Sequence, residues 1–464
     1  MNAGDSKPAR RESKPSVNDF DADWKGTEDE LALGFTNKYQ SKLRYVAKWG
    51  RWYKWTGQRW AEDETVLVYD LIRHYCREAL AFCDEKSKRS HAAKATTVAA
   101  VERFAKADRR HAATIDQWDT NLWLLNTPGG VVDLKTGELL PHKPDYYMTK
   151  ITAVAPEGDC PRWMQFLDEI TNRAPGLIGF LQRLIGYGLT GSTREHAFAF
   201  LYGTGANGKG TFLNTITKAL GDYTAVASTD TFTESRNERH PTELAMLRGA
   251  RFVVAQETDE GRAWNETRIK ALTGGDPITA RFMRQDFFTF EPQFKLIVSG
   301  NHKPALRNVD EAMRRRLYLV PFNVTIPPEE RDPDLSEKLR TELGGILRWA
   351  IDGCLAYRRE GLNPPPVVLD ATDEYFRAQD AFRQWIEDCC DEGPDYWGRP
   401  QLLFRSWEKY AGDAHEDVGS EKRFAERLEK TGFLKTKSSK YGGRAWVGLR
   451  LNEETGTHGT DWSI

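Results

Sequence analysis

The chain has 464 residues, with 66 Lys and Arg against 68 Asp and Glu and a formal net charge of −2. That length allows two to four domains with large cores, and the balanced charge excludes a global affinity for nucleic acid, so any such binding must come from local basic surfaces. No apolar run is long enough for a membrane span, the first residues lack a signal-peptide core, and six cysteines (Cys76, Cys83, Cys160, Cys354, Cys389, Cys390) without a C-x-x-C pair fit a reduced cytosolic protein.

Residues 1–20 are rich in Lys, Arg, Ser and Pro with hardly any apolar side chain, which predicts a disordered tail. Residues 21–160 read as an N-terminal mixed α/β domain. A helical stripe runs from Glu30 to Tyr45, and Trp49 to Trp60 packs aromatics around Thr56-Gly57, which predicts a hairpin. So many Trp beside Arg and Lys could stack bases; filling the core of a small sheet is the simpler use. Val66 to Phe82 and Ala92 to Ala113 predict helices, and Val131 to Glu138 a second hairpin. No acidic triplet suited to primase or polymerase chemistry stands out.

Pro161 to Leu189 predicts helix and leads into Ala197–Tyr202, an apolar run of the length of a buried strand. Gly203, four residues, then Gly208 and Lys209 is the spacing of a phosphate-cradling loop. Behind it Phe212, Ile216, Ala219 and Leu220 recur at helical spacing, and Gly221 supplies a stop. The bare pattern arises by chance in roughly one chain in seven of this length; the flanking strand and helix make it specific. Gly203, Thr204, Gly205, Ala206, Asn207, Gly208, Lys209, Gly210, Thr211 and Phe212 are therefore the candidate nucleotide-binding residues, with Lys209 reaching the β and γ oxygens. One departure matters. Gly210 stands where the usual pattern has Ser or Thr to hold Mg²⁺, and the hydroxyl falls one place later, on Thr211. Some P-loop nucleotide kinases share GKGT, so the loop is not thereby disabled.

Arg251 to Glu257 is a second buried strand, ending in a carboxylate. An acid so placed holds the metal's water or polarises the attacking water, which makes Glu257 a catalytic candidate and, with Thr211, a metal candidate. Gln256 precedes it where a second acid is common, and Asp259 and Glu260 fall on the following loop. Strand-like Ile278 to Arg284 follows Lys270–Asp276, then Phe287 to Phe290 and Phe294 to Ser299, ending at Gly300-Asn301. An Asn there can hydrogen-bond the γ-phosphate; a plain strand-terminal turn is the alternative. Arg314-Arg315-Arg316 enter the strand Leu317 to Phe322. They form a solvated face or, in an ATPase whose sites are bridged by subunits, an arginine that stabilises transition-state charge.

Asp334 to Gly361 predicts a long helix, which Asn363-Pro364-Pro365-Pro366 breaks as a linker before a C-terminal domain at 367–464. Phe382 to Cys390, Leu402 to Tyr410 and Glu421 to Lys430 predict three short helices. Phe433 to Lys435 and Ala445 to Leu451, around Tyr441-Gly442-Gly443, predict a two-stranded wing. Between Glu421 and Arg450 nine Lys or Arg stand against three Glu, a net of +6. Helices, wing and local charge suggest a winged-helix DNA binder, with Lys435, Lys437 and Arg444 as contacts; a protein-binding winged helix is the alternative.

In this order and spacing, GTGANGKGT, FVVAQE, LTGGDPITAR, KLIVSGN and MRRRLYLVPF resemble the superfamily 3 DNA helicases, and among them the phage- and plasmid-type primase-helicases related to the poxvirus primase-helicase. LRYVAKWGRWYKWTGQRW and GGVVDLKTGEL resemble the domain that precedes the helicase there, so the resemblance covers about residues 30 to 450. It implies an α/β fold with an AAA+-like P-loop ATPase core at 161–362, and an ATP- and Mg²⁺-dependent DNA helicase that assembles as a ring, a hexamer being the expected size. It places Lys209 and Thr211 in the phosphate loop, Glu257 on the acidic strand and Asn301 at the sensor position. It makes Arg315 or Arg316 the arginine acting on a neighbouring subunit, with the choice open. It matches Leu272 to Asn301 to a DNA-contacting hairpin, so Arg281 and Arg284 are candidates for gripping phosphates of a single strand; partnerless surface arginines are the plain alternative.

The implied partners are single-stranded and forked DNA, further copies of the chain, and a separate primase or other replication proteins, with no membrane. The implied setting is the cytoplasm of a bacterial host, with a phage or prophage as the source. Three rivals stand beside this reading. A P-loop nucleotide kinase would need a lid and a base site, and a non-enzymatic initiator or regulator could keep the fold with a metal site weakened at Gly210. A primase is the third, for which the chain looks too short.

Overall fold

A computed structural model describes residues 27–80, 94–234, 242–256, 261–284, 286–306, 310–414, 417–438 and 443–452. The tail expected at 1–20 lies outside them. The chain divides into two units, Met1–Glu157 with Ala219–Tyr223, and Gly158–Lys218 with Thr224–Ile464.

In the first unit Thr27 opens α1 (Glu28–Tyr39) with a capping box: its hydroxyl accepts from Glu30 N, and the Glu30 carboxylate accepts from Thr27 N. The helical stripe expected to reach Tyr45 stops at Tyr39. Leu43–Val46 is instead strand β1, antiparallel to β2 (Arg51–Trp55), which pairs with β3 (Trp60–Glu62). Gly50, at φ 67°, permits the first turn. The second is the predicted one, with the Thr56 hydroxyl accepting from Gln58 N and Arg59 N. One face of this sheet packs Leu43 and Trp52 against α1, α2 (Leu67–Leu80) and α3 (Ala95–Ala107); the other buries Val46 and Trp60 with Trp118. Trp52, Trp60 and Trp118 are all buried. They fill cores on both faces of the sheet and offer bases no surface. A second small sheet pairs β4 (Leu124–Thr127), β5 (Gly130–Asp133) and β6 (Leu139–Leu140); its last turn was expected, β4 was not.

The second unit begins with α4 (Pro161–Thr171) and α5 (Pro175–Leu189), which Asn172 separates in the left-handed conformation. β7 (Phe198–Tyr202) leads through a loop into α6 (Lys209–Leu220), followed by β8 (Thr224–Ser228), α7 (Thr242–Ala245) and β9 (Phe252–Gln256). Then come α8 (Glu266–Gly274), the hairpin β10 (Ile278–Ala280) and β11 (Phe288–Phe290), β12 (Lys295–Gly300), α9 (Glu311–Arg314) and β13 (Leu317–Pro321). β7, β8, β9, β12 and β13 form a parallel sheet in the order β13-β7-β12-β9-β8. β12 is buried along its whole length, as expected of a central parallel strand covered on both faces.

The expected long helix is two, α10 (Leu335–Thr341) and α11 (Leu343–Glu360). Glu342 between them accepts from Arg162 N (3.0 Å) and Trp163 N (2.9 Å), so its carboxylate caps α4. The proline run does not end the domain. It starts α12 (Pro366–Ala378), whose Ala371, Tyr375 and Phe376 sit in the core of the parallel sheet. A separate core begins at α13 (Ala381–Cys389). There β14 (Cys390–Gly398), α14 (Pro400–Asp413), α15 (Glu421–Thr431), β15 (Leu434–Ser438) and β16 (Gly443–Leu451) build an antiparallel sheet, β14-β16-β15, around Trp385, Trp407 and Trp446. The two strands expected there do pair, and β14 adds a third beside β16, while Tyr441 and Gly442 of the expected turn lie outside the described residues. Among those residues no helix is long and apolar enough to cross a membrane.

Candidate active site

Parallel sheets bind ligands in the crevice beyond the carboxyl ends of their strands, and here that crevice opens after β7. Two glycines shape the loop. A Cβ on Gly203 would lie 2.2 Å from both Asn207 Nδ2 and Phe322 O, and Gly208, at φ 80°, has no room for one beside Ile170. The segment after β13 holds the loop in place. Asn207 Nδ2 donates to Phe322 O (3.0 Å) and Ile326 N donates to Ala206 O (3.0 Å).

Lys209 opens α6 and is buried, with Nζ donating to Gly203 O (2.8 Å), Asn207 Oδ1 (3.0 Å) and Asn301 Oδ1 (3.2 Å). Burial lowers its pKa. Asn301 arrives from the end of β12, so two predicted residues far apart in sequence meet at one ammonium. The cleft they share has a volume of about 550 Å³ and is lined by residues 205–211, Gln256 and residues 299–301. The free N–H groups of the first turn of α6 add partial positive charge there.

Of the other loop candidates, Thr204 does not line the cleft, and the Phe212 ring lies in the core stacked on Trp163 at 5.4 Å. A Cβ on Gly210 would meet nothing within 4 Å, whereas Thr211 lines the cleft. Gln256, at the end of β9, donates from Nε2 to Asn214 Oδ1 (3.3 Å). Glu257 lies outside the described residues, as do Asp259 and Glu260. No group of three His, Cys, Asp or Glu side chains able to hold a metal stands among the described residues. Thr211 brings a hydroxyl to the cleft, a hard oxygen of the kind Mg²⁺ takes when phosphate and water complete its shell.

The three arginines differ. Arg314 pairs with Asp373 (3.1 Å) and lies over Phe376. Arg315 is exposed and forms no ion pair among the described residues. Arg316 is 7% exposed; its Nη1 donates to Ala312 O (2.8 Å), its Nε finds no acceptor among the described residues, and burial lowers its pKa. All three stand at the amino end of β13, where Leu317 pairs with Phe198, while the cleft lies at the Pro321–Tyr202 end. The strand between puts them roughly 15 Å from the loop of their own chain. The fold does not bring them to that cleft.

Arg281 and Arg284 lie where β10 turns into β11, also outside the cleft: Arg281 sits over the Phe287 ring at 4.8 Å, and Arg284 is exposed with φ 61°. Lys437 and Arg444 are cross-strand neighbours on β15 and β16, and Lys435 lies over Trp446 at 5.7 Å. Sequence reasoning named Asn207 as a loop residue but missed that it couples Lys209 to Phe322. Nothing in the sequence signals that latch, because the acceptor is the main-chain oxygen of Phe322, which any residue at that position would supply.

Residues 32–172 match the family model "D5 N terminal like", and residues 201–316 match "Family of unknown function (DUF5906)". The chain carries these two regions of the D5-like primase-helicase family, as its motifs indicated. A protein named "Putative helicase" from Acanthamoeba polyphaga mimivirus is 28% identical over 302 residues, 58% of this chain and 31% of its own. One of the same description from Frog virus 3 is 30% identical over 251 residues, 50% of this chain and 25% of its own. One named "Putative primase" from African swine fever virus is 23% identical over 317 residues, 61% and 32%. The chain thus spans about a third or less of the length of these curated relatives. The solved NrS-1 C-terminal region superposes with a TM-score of 0.49 at 9% identity, over 91% of this chain and 98% of that one.

Proposed function

We propose that the chain is an ATP-dependent DNA helicase of phage, prophage or plasmid replication. It would work as a ring, a hexamer being the expected size, on single-stranded and forked DNA. The observation that carries the reading is Lys209: a buried ammonium at a helix start, facing an open cleft, held by three oxygens where phosphate oxygens would sit. The residues at 203–211 would form a P-loop of an AAA+-like core. Lys209 would leave Asn207 and Asn301 to take the β and γ oxygens, and Asn301, released, would orient the attacking water. Glu257 would act as the base that polarises this water. Bound Mg²⁺ would neutralise charge on the β and γ oxygens, with Thr211 and Glu257 on its protein side.

Arg315 and Arg316 are both remote from the cleft of their own chain, and Arg315 fits the transition-state arginine of a neighbouring subunit better because it is the exposed one. Arg316 is sunk beside Asp276 and Asp310 and suits the positioning of that turn. ATP binding between subunits would move the β10–β11 hairpins along one strand, with Arg281 and Arg284 on phosphates. The C-terminal helices and sheet would act as a winged helix, holding DNA through Lys435, Lys437 and Arg444. A separate primase or other replication proteins would work beside it, in the cytoplasm of a bacterial host.

ATP hydrolysis with and without single-stranded DNA, beside Lys209→Ala, tests the reading. DNA-stimulated turnover that vanishes in the variant supports a motor. Gly210 favours a second reading, since it lacks the usual metal-holding hydroxyl: DNA binding without turnover in the intact protein would make the chain a non-enzymatic binder on this scaffold.

A further inference from the structure

The β10–β11 hairpin carries more than two arginines. Ile278 pairs with Phe290 and Ala280 with Phe288, so these four share one face, and Thr279 and Thr289 share the other. At the root that face is buried, through Ile278 and Ala280. It stays apolar beyond the core. Phe282 stacks on Phe288 with centroids 5.5 Å apart, Phe288 meets Phe290 at 6.0 Å, and Arg248 covers Phe288 at 5.2 Å. This stack stiffens a two-stranded ribbon that is marginal alone.

The turn then presents Phe282, Met283 and Phe287 at 37%, 68% and 58% exposure. Three large apolar side chains within six residues need something to cover them. Arg281 and Arg284 alternate with them, against the single carboxylate of Asp286. Aromatics interleaved with cations on a stiff support suit a polyanion that offers flat apolar faces, which is unpaired nucleic acid.

We infer that this turn holds single-stranded DNA by its bases as well as its backbone: Phe282, Met283 and Phe287 pack on unstacked nucleobases while Arg281 and Arg284 take the phosphates. The inference rests on the reading of this hairpin as the DNA-contacting element and adds the mode of contact. Contact of this kind is tolerant of sequence, because every base has an apolar face.

The test measures binding of the full chain to a fluorescent oligothymidylate and to an abasic strand of equal length. Phe282→Ala with Phe287→Ala weakens oligothymidylate binding at least about tenfold and leaves abasic binding unchanged. Phe282→Trp with Phe287→Trp keeps oligothymidylate binding, and its added tryptophan fluorescence is quenched by that strand alone. Arg281→Ala with Arg284→Ala weakens both strands alike and lowers the salt dependence by about one unit per arginine. An equal loss on both strands in the alanine pair, or no loss on either, overturns the base contact. If the arginine pair also changes nothing, the hairpin is not the DNA element and the underlying reading falls with it.

Discussion

Two lysines at opposite ends of the parallel sheet make a controlled pair. Lys209 and Lys295 are both buried, each donates to three oxygens, and burial lowers the pKa of each. Lys209 sits at the carboxyl end on Gly203 O, Asn207 Oδ1 and Asn301 Oδ1, beside a cleft of about 550 Å³. Lys295 sits at the amino end on the main-chain oxygens of Thr190, Ser192 and Gln293, with Tyr187 packed over it. Two of the oxygens on Lys209 belong to side chains that can turn away. All those on Lys295 belong to the backbone, two of them just past α5, where a cation also meets the negative end of the helix. A buried amine is therefore no sign of function by itself. Exchangeable partners and space in front of it are.

Substitutions should separate the two ends. Lys209→Ala removes at least about 10³-fold of ATP turnover, the scale of charge stabilisation in phosphoryl transfer, while the melting temperature changes little. Arg315→Ala costs roughly as much, about 10³-fold, although it lies at the Lys295 end. Mixing inactive Lys209→Ala with inactive Arg315→Ala subunits should restore part of the turnover, and no recovery would mean that Arg315 does not act across subunits. Lys295→Met removes the ammonium from three main-chain carbonyls, that of Thr190 buried, and destabilises the second unit by about 3 kcal/mol, read by denaturant unfolding. Its nucleotide binding below the melting point stays at the level of the intact protein. Asn301→Ala lowers turnover about 10²-fold with little change in stability, and a stability loss without a rate loss would move Asn301 to the structural class.

The smallest effect lies in the first unit. His111 is fully buried, with Nδ1 3.1 Å from Leu43 O, and burial holds its pKa below 6.5. Below pH 6.5 the unfolded chain takes up a proton that the folded one refuses, so this unit loses stability as the pH falls, by at most about 1.4 kcal/mol per pH unit. Hydrogen exchange of its amides should show the loss, and His111→Phe should flatten it.

The strand, loop and helix around Lys209 were legible because glycine spacing and apolar runs are local signals. Asn301 was legible for the same reason, as the polar end of a continuous apolar strand. What escaped the sequence was set by packing. Leu43–Val46 continues a helical stripe in sequence and is strand because β2 pairs with it. β8 is an edge strand of small residues, TAVAS, with no strong period. β14 is disguised by acids, Gly393 and Pro394. The proline run read as a linker starts α12, because proline suits a first helical turn as well as a break. The contrast between Arg315 and Arg316 is one of burial, fixed by the turn from α9 into β13, and adjacent identical residues carry no sign of it.

The oxygens on Lys209 would stand where phosphate oxygens bind, so a bound nucleotide should displace them. Titration of a fluorescent, non-hydrolysable ATP analogue with Mg²⁺ into the intact protein and into the Lys209→Ala and Lys295→Met variants tests this placement most directly. The intact protein and Lys295→Met should bind the analogue tightly, and Lys209→Ala at least about tenfold more weakly. Equal binding by all three proteins, or a loss confined to Lys295→Met, would contradict it.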